Sequence, residues 1–184
     1  LMLATWLYRN AIRPCLFLLD AEEAHDLVAN LLPVSAPLIA IGREIIFNSQ
    51  VEEALPRLAT TLAGTALANP IGLAAGLDKN AKFVSLWPQF GFGYVEIGSA
   101  TAKPSLGNDK PRLFRLPEDQ AIINRMGLNG DGGEAIARRL VSIGSSQILG
   151  PVALNIAKSN LPNLHGEMAV ADLLATFKCF QGCK

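Results

Sequence analysis

The 184-residue sequence is half hydrophobic, and its formal charges cancel. A chain of this length can bury a real core and is ordinary for one domain. That neutral balance argues against nucleic acid as the main partner, since phosphate binding needs a clustered positive field. The three cysteines, Cys15, Cys179 and Cys183, are few and odd in number and read as reduced thiols. Cys179 and Cys183 stand four apart, a spacing that could share a helix face. With no further Cys or His at ligand spacing, no metal site is expected there.

Residues 1–48 differ from the rest of the chain. Leu1 to Leu19 is apolar and aromatic, but Arg9, Asn10, Arg13 and Pro14 interrupt it before it reaches the roughly 18 apolar residues of a membrane span. Asp20 can cap a helix, with Glu23 completing a capping box. Ala24, Leu27, Val28, Leu31 and Leu32 then form an apolar stripe, and Pro33 is expected to end the helix. Ser35 to Phe47 gives a further short apolar segment. These helices carry more apolar surface than they can bury in each other. Either they pack on the main domain, or they form an interfacial pad with Trp6, Tyr8, Arg9 and Arg13 at headgroup level.

A polar linker over 49–56 leads to Leu58–Leu67, read as a hairpin around Ala63-Gly64-Thr65. Asn69-Pro70 is a turn signal. Ile71 to Ala75 suits a strand buried on both faces, with a floor of small residues that leaves room for a large flat group. Asp78 and Lys79 arrive at its carboxyl end, where α/β folds place their chemistry. Ala81–Phe90 is expected to be a helix stopped by Gly91 and Gly93. Tyr94–Gly98 is a second strand, followed by Ser99. Arg112–Leu116 and Ala121–Ile123 are two short extended runs. Asp131 caps a helix to Ile143, with Glu134 in the capping-box position. Pro151–Ile156 is a third buried strand, ending near Asn155 and Lys158, and Met168–Phe180 is helical. Alternating strands and helices predict an α/β fold with a parallel sheet. Its strand ends gather Lys79, Ser99, Asn155 and the run Asn124-Arg125-Met126-Gly127-Leu128-Asn129. One lysine, two asparagines and a serine over a small-residue floor suit a planar, anionic, amide-bearing ligand.

Five motifs carry a family resemblance: Asn69 to Lys79, Gly91 to Ser99, Lys110-Pro-Arg-Leu-Phe-Arg-Leu116, Ile123 to Asn129, and Leu154-Asn-Ile-Ala-Lys158. In this order they resemble the membrane-associated, quinone-dependent (class 2) dihydroorotate dehydrogenases. The resemblance extends to the amino-terminal helices through Leu19-Asp-Ala-Glu-Glu-Ala-His25. It implies an FMN-binding (β/α)8 TIM barrel (57–184 supplying its amino-terminal part) preceded by a helical membrane and quinone-access domain over 1–48. It also implies oxidation of dihydroorotate to orotate in pyrimidine synthesis, with electrons passing through FMN to a quinone. Ala75, Gly76, Leu77, Asp78, Lys79, Ser99 and Asn155 would contact FMN. Lys79, Asn124, Arg125, Met126, Gly127 and Leu128 would bind substrate, and His25 and Arg115 would border the quinone passage. The implied location is the membrane surface, on the cytoplasmic face of a bacterial inner membrane.

Leu128 stands where the family usually has an aromatic, and Ala157 where glycine is common. Only 115 residues run from Pro70 to Lys184, against about 250 for a whole barrel. Three barrel strands are therefore expected, and the sequence looks like the amino-terminal half of such an enzyme. The family's catalytic serine would fall beyond Lys184, so no catalytic base is assigned within the chain. The 184 residues alone are expected to bind FMN poorly. The alternatives are an inactive membrane-associated fragment, or a barrel flavoprotein using another pyrimidine and a soluble acceptor. On the family reading, removing 1–48 abolishes electron transfer to a long-chain quinone and spares flavin reduction by dihydroorotate.

Overall fold

The computed structural model describes residues 2–46 and 55–183. The chain opens with α1 (Met2–Leu7), a π-helical turn (Tyr8–Ile12), α2 (Arg13–Phe17) and the long α3 (Ala21–Ile46). Asp20 starts α3 as expected, its carboxylate accepting from the Glu22 amide at 2.8 Å. Pro33 does not end it: α3 runs through both Pro33 and Pro37. The two prolines are exposed, so the carbonyls they leave without a donor can turn to water. Ser35 Oγ donates to the Leu32 carbonyl at 2.9 Å within the same turn. Most of the linker expected over 49–56, and Phe47 of the second apolar segment, lie outside the described residues.

β1 (Thr60–Leu62) and β2 (Thr65–Leu67) form the expected antiparallel hairpin. Its turn residues Ala63 and Gly64 take φ of 49° and 82°, the primed-turn geometry that suits hairpin twist. The main sheet has three parallel strands in the order β3-β4-β7: β3 (Gly72–Leu73), β4 (Tyr94–Ala100) and β7 (Val152–Ile156). Among the described residues the sheet does not close into a barrel. β3 is two residues long and not buried on both faces, and Ile71 before it is 63% exposed. It pairs with β4 on one side only, and that leaves its other edge open. β7 is likewise only half-buried.

Ala81–Phe90 is not an α-helix. Ala81 takes φ of 54°, and only a 3-10 turn, Trp87–Phe90, forms after it. The segment winds around Asp78 instead. Its carboxylate accepts from the amides of Lys82 (2.7 Å) and Phe83 (2.9 Å) and from the Trp87 indole (3.0 Å). Gly91 does stop the turn, in the left-handed conformation. β5 (Leu113–Leu116) and β6 (Ala121–Asn124) pair as an antiparallel hairpin.

Two helices complete the fold, α4 (Gly133–Ile143) and α5 (Gly166–Cys179). Asp131 does not cap α4, whose N-cap is Gly132. Its carboxylate pairs with Arg139 at 2.9 Å instead, and Glu134 pairs with Arg138 at 3.2 Å. Because α5 ends at Cys179, Cys183 lies beyond it and the two thiols share no helix face. The core lies between the sheet and these elements: Ala81, Val84 and Trp87 from the Asp78 segment, Val95, Ile97 and Ala100 from β4, and Ile136 from α4. Leu32 of α3 packs against the same cluster.

Candidate functional site

The parallel sheet puts the carboxyl ends of β3 and β4 on one side. Between Ile97 and Ala100 the β4–β7 register shifts, the kind of irregularity that re-aims a side chain beside a site. Gly98 sits in this shift with φ of 108°, and a Cβ on it would come within 2.3 Å of the Asn155 carbonyl oxygen. Only glycine lets β7 approach so closely there. Ser99 is next in the chain, and its hydroxyl donates to Asn155 Oδ1 at 2.5 Å. The Asn155 amide nitrogen donates in turn to Glu96 Oε1 at 2.9 Å.

These strand ends wall a cavity of about 940 Å³, the more polar of two neighbouring ones and at the large end of the range for small-molecule sites. Ala75, Gly76, Leu77, Asp78, Lys79 and Ser99 line it, with Asn124, Arg125, Met126, Gly127 and Leu128, and with Glu22 and Asp26 from α3. Asn155 reaches the wall through Ser99. The floor beside Gly76 is open, since a Cβ there would meet nothing within 4 Å. Asp78 is 2% exposed, with its carboxylate committed to the core, so it serves the cavity through its backbone. The Arg125 guanidinium is turned to the Pro111 carbonyl, at 3.0 and 3.3 Å from Nη2 and Nε. The ligand-facing chemistry of its loop is left to Asn124 and to the residues after Arg125.

Lys79 is one of the cations lining the cavity, with Lys82 and Arg125. Its Nζ donates to Asn129 Oδ1 at 2.5 Å. Burial pushes its pKa below the ordinary lysine value; the nearby Arg112 guanidinium pushes the same way, and Glu22 opposes. A half-buried ammonium is ready to be paired by an anion entering the cavity.

The amino-terminal helices close the opposite side. Glu22 and Arg112 form a buried two-pronged ion pair, with Nη2 to Oε1 at 2.6 Å and Nε to Oε2 at 3.0 Å. The Arg112 hydrogen bonds hold the Glu22 pKa below its ordinary value. Arg115 Nη1 donates to the Leu19 carbonyl at 2.9 Å, and its guanidinium stands over the Phe17 ring at 4.6 Å. A second cavity, about 420 Å³ and largely apolar, lies between these helices and the β5–β6 hairpin. His25 and Arg115 both line it, together with Phe17, Val28, Leu32 and Ile122. His25, Ala29, Leu77, Phe83 and Leu113 belong to both cavities.

The structure thus brings the residues expected at the flavin and substrate sites, apart from Asn155, to one cavity, and His25 and Arg115 to the neighbouring one. Sequence reasoning missed roles for Glu22, Arg112, Asn129 and Glu96. Arg112 and Asn129 lie inside two of the five family motifs, yet their partners stand 90 and 50 positions away, a separation no local pattern reports. Among the described residues, no group of His, Cys, Asp and Glu is placed to hold a metal.

Comparison with known proteins bears on the family. The family model described as dihydroorotate dehydrogenase matches residues 57–183. The chain is 46% identical over 155 residues to a dihydroorotate dehydrogenase (quinone) of Deinococcus deserti, covering 84% of this chain and 42% of that protein. It is 41% identical over 174 residues to one of Chloroflexus aurantiacus, covering 93% and 46%. The chain therefore spans about half the length of the curated relatives it matches. Among solved structures, it resembles a ligand-free dihydroorotate dehydrogenase of Eimeria tenella with TM-score 0.67 and 36% identity, covering 86% of this chain and 42% of that one. It also resembles the ferulenol complex of the enzyme from that organism, with TM-score 0.58 and 38% identity over 76% of this chain and 36% of that one.

Proposed function

The chain belongs to the dihydroorotate dehydrogenase family, and we propose that it serves the oxidation of dihydroorotate to orotate in pyrimidine synthesis, with FMN as the flavin and a quinone as acceptor. One observation carries this reading: Lys79, Ser99 and the loop Asn124–Leu128 converge on a polar cavity that shares a wall with an apolar one beneath the amino-terminal helices. A polar, anionic substrate and an apolar acceptor require two such compartments side by side.

The residues present fit a flavin ring. Ala75 and Gly76 give a flat, open floor, Lys79 supplies positive charge at its edge, and Ser99, set by Asn155, supplies a hydroxyl. FMN, when bound there, takes two electrons from the substrate and gives them to the acceptor. The chain's own residues do the holding. Lys79 balances negative charge on the bound ring and on the substrate carboxylate. The amides of Asn124 and Asn129 can donate and accept at once, as an amide-bearing ring requires. The backbone of Met126 to Leu128 bounds the substrate face and fixes its register. His25, Arg115 and the aliphatic side chains around them admit the quinone.

In this reading β3, β4 and β7 are the first three strands of a (β/α)8 barrel. The helices α1–α3 rest peripherally on a membrane, on the cytoplasmic face of a bacterial inner membrane. Leu18 and Trp6, 86% and 61% exposed, are available to enter the headgroup layer. Among the described residues no helix is long and apolar enough to cross a membrane.

The test is anaerobic mixing of the full-length, FMN-loaded protein with dihydroorotate. The flavin absorbance should bleach, and a quinone should restore it faster than a soluble acceptor does. Bleaching by a different pyrimidine but not by dihydroorotate would overturn the assignment.

A further inference from the structure

Arg112 is 7% exposed and stands at the end of a strap, residues 105–112, that precedes β5. Two of its nitrogens grip Glu22 on α3. The third, Nη1, donates to two carbonyls of the strap itself, those of Leu106 and of Asn108, the latter at 2.9 Å. A planar guanidinium has a fixed fork, so fixing one side of it orients the other. The strap then carries the loop Asn124–Leu128. The Asn108 amide donates to the Met126 carbonyl at 3.1 Å, and its side-chain nitrogen donates to the Arg125 carbonyl at 2.7 Å. The Arg125 amide donates back to the Arg112 carbonyl at 2.8 Å. The two segments touch closely enough that a Cβ on Gly127 would stand 2.6 Å from the Asn108 amide nitrogen.

Helix, carboxylate, guanidinium, strap and loop form one continuous chain of hydrogen bonds. A buried ion pair is a poor way merely to add stability, because the charges must be stripped of water to form it. It is a good way to fix one geometry. We propose that Glu22 is a positioning residue for the substrate: through Arg112 and the 105–112 strap it sets the loop Asn124–Leu128 on the polar cavity. The inference rests on the assignment of that loop to dihydroorotate and orotate. It also makes the amino-terminal helices part of the substrate half of the site as well as the acceptor half. Removing residues 1–48 then weakens substrate binding too, contrary to the separability expected from the sequence.

The test uses full-length, FMN-loaded protein with Glu22→Gln and Glu22→Asp, and reads orotate affinity by titration calorimetry beside the KM for dihydroorotate and for quinone. Glu22→Gln should weaken orotate binding and raise the dihydroorotate KM about tenfold, with the quinone KM changed less than about twofold, on the scale of one charged hydrogen-bonding partner. Glu22→Asp keeps the charge but shortens the reach, and should fall between wild type and Glu22→Gln. Unchanged orotate affinity in Glu22→Gln, even with a lowered melting temperature, would show the pair to be structural only and overturn the proposal. If Glu22→Gln does not fold, Glu22→Asp decides: weaker orotate binding supports the proposal and wild-type binding overturns it. A wild-type protein that binds no orotate overturns the functional reading, and this inference with it. Wild-type binding with unaffected variants overturns this inference alone.

Discussion

The amino-terminal helices and the strand region are held by different forces. In the strand region, Val84, Trp87, Val95, Ile97 and Ile136 bury an apolar core, and the polar side chains of the site stand on it. In α1–α3, Ala24 is a buried apolar residue, while Leu3, Trp6, Leu18, Leu31 and Val34 face outward. Among the described residues, what ties these helices down beside the packing of Leu32 on the core is polar: the Glu22–Arg112 pair and the bond from Arg115 to the Leu19 carbonyl. A region attached through charge and hydrogen bonds keeps its apolar surface for something else. The one attached through burial can hold a ring and a lysine at fixed positions.

The largest expected effect separates the two regions by stability. Ile97→Ala removes a side chain with no exposed area and should cost about 2–5 kcal/mol in urea unfolding. Leu31→Ala, at a site 54% exposed on α3, should cost no more than about 0.5 kcal/mol. Comparable losses at both sites would mean that the helices carry a core of their own.

Next is activity. Lys79→Ala should lower turnover more than about 100-fold, the scale of removing one preorganised charged group, with an unchanged circular dichroism spectrum. Near-normal orotate formation would remove Lys79 from the site. The pH dependence comes from its depressed pKa. The ammonium is the form that attracts an anion. Orotate affinity should therefore fall as pH rises through the Lys79 value, below the ordinary lysine pKa of 10.5. Lys79→Arg, which stays charged, should not show that fall.

On the helical side, Arg115→Met removes a hydrogen bond and a ring contact beside the apolar cavity. It should raise the KM for quinone about fivefold, the worth of about 1 kcal/mol, and leave dihydroorotate-dependent bleaching intact. Loss of bleaching would erase the division of labour between the regions. The smallest effect is acid loosening of the helices. Glu22 has its pKa lowered from the ordinary 4.5. Its contribution to stability is full above that value and is lost as pH falls through the depressed folded one. Hydrogen exchange in α3 should rise below pH 4.5 in the wild type, and that acid-dependent rise should be missing from Glu22→Gln.

The parts legible in the sequence are those fixed locally. The β-rich run of β4, the glycine turn of the first hairpin and the helical run of α5 all form where their residues indicate. So does the Asp20 cap. The misreadings occur where side-chain contacts set a backbone path that the residue pattern does not show. The Asp78 carboxylate gathers the Lys82 and Phe83 amides into a loop where 81–90 reads as helical. Arg139 draws the Asp131 carboxylate away from its expected cap. Of the site, the strand-end residues were legible because an α/β fold gathers strand ends. Glu22 and Arg112 were not, because their meaning lies in a contact between distant segments.

The wall common to the two cavities has a kinetic consequence. His25, Ala29, Leu77, Phe83 and Leu113 line both compartments, so the two share a boundary. Two ligands can then occupy the protein in turn or together without displacing one another, and only electrons need to cross. Orotate should compete with dihydroorotate and not with quinone, and an apolar quinone mimic should show the reverse pattern. Widening the wall's smallest member, as in Ala29→Leu, should slow reoxidation of the reduced flavin by quinone while reduction of the flavin by dihydroorotate keeps its rate.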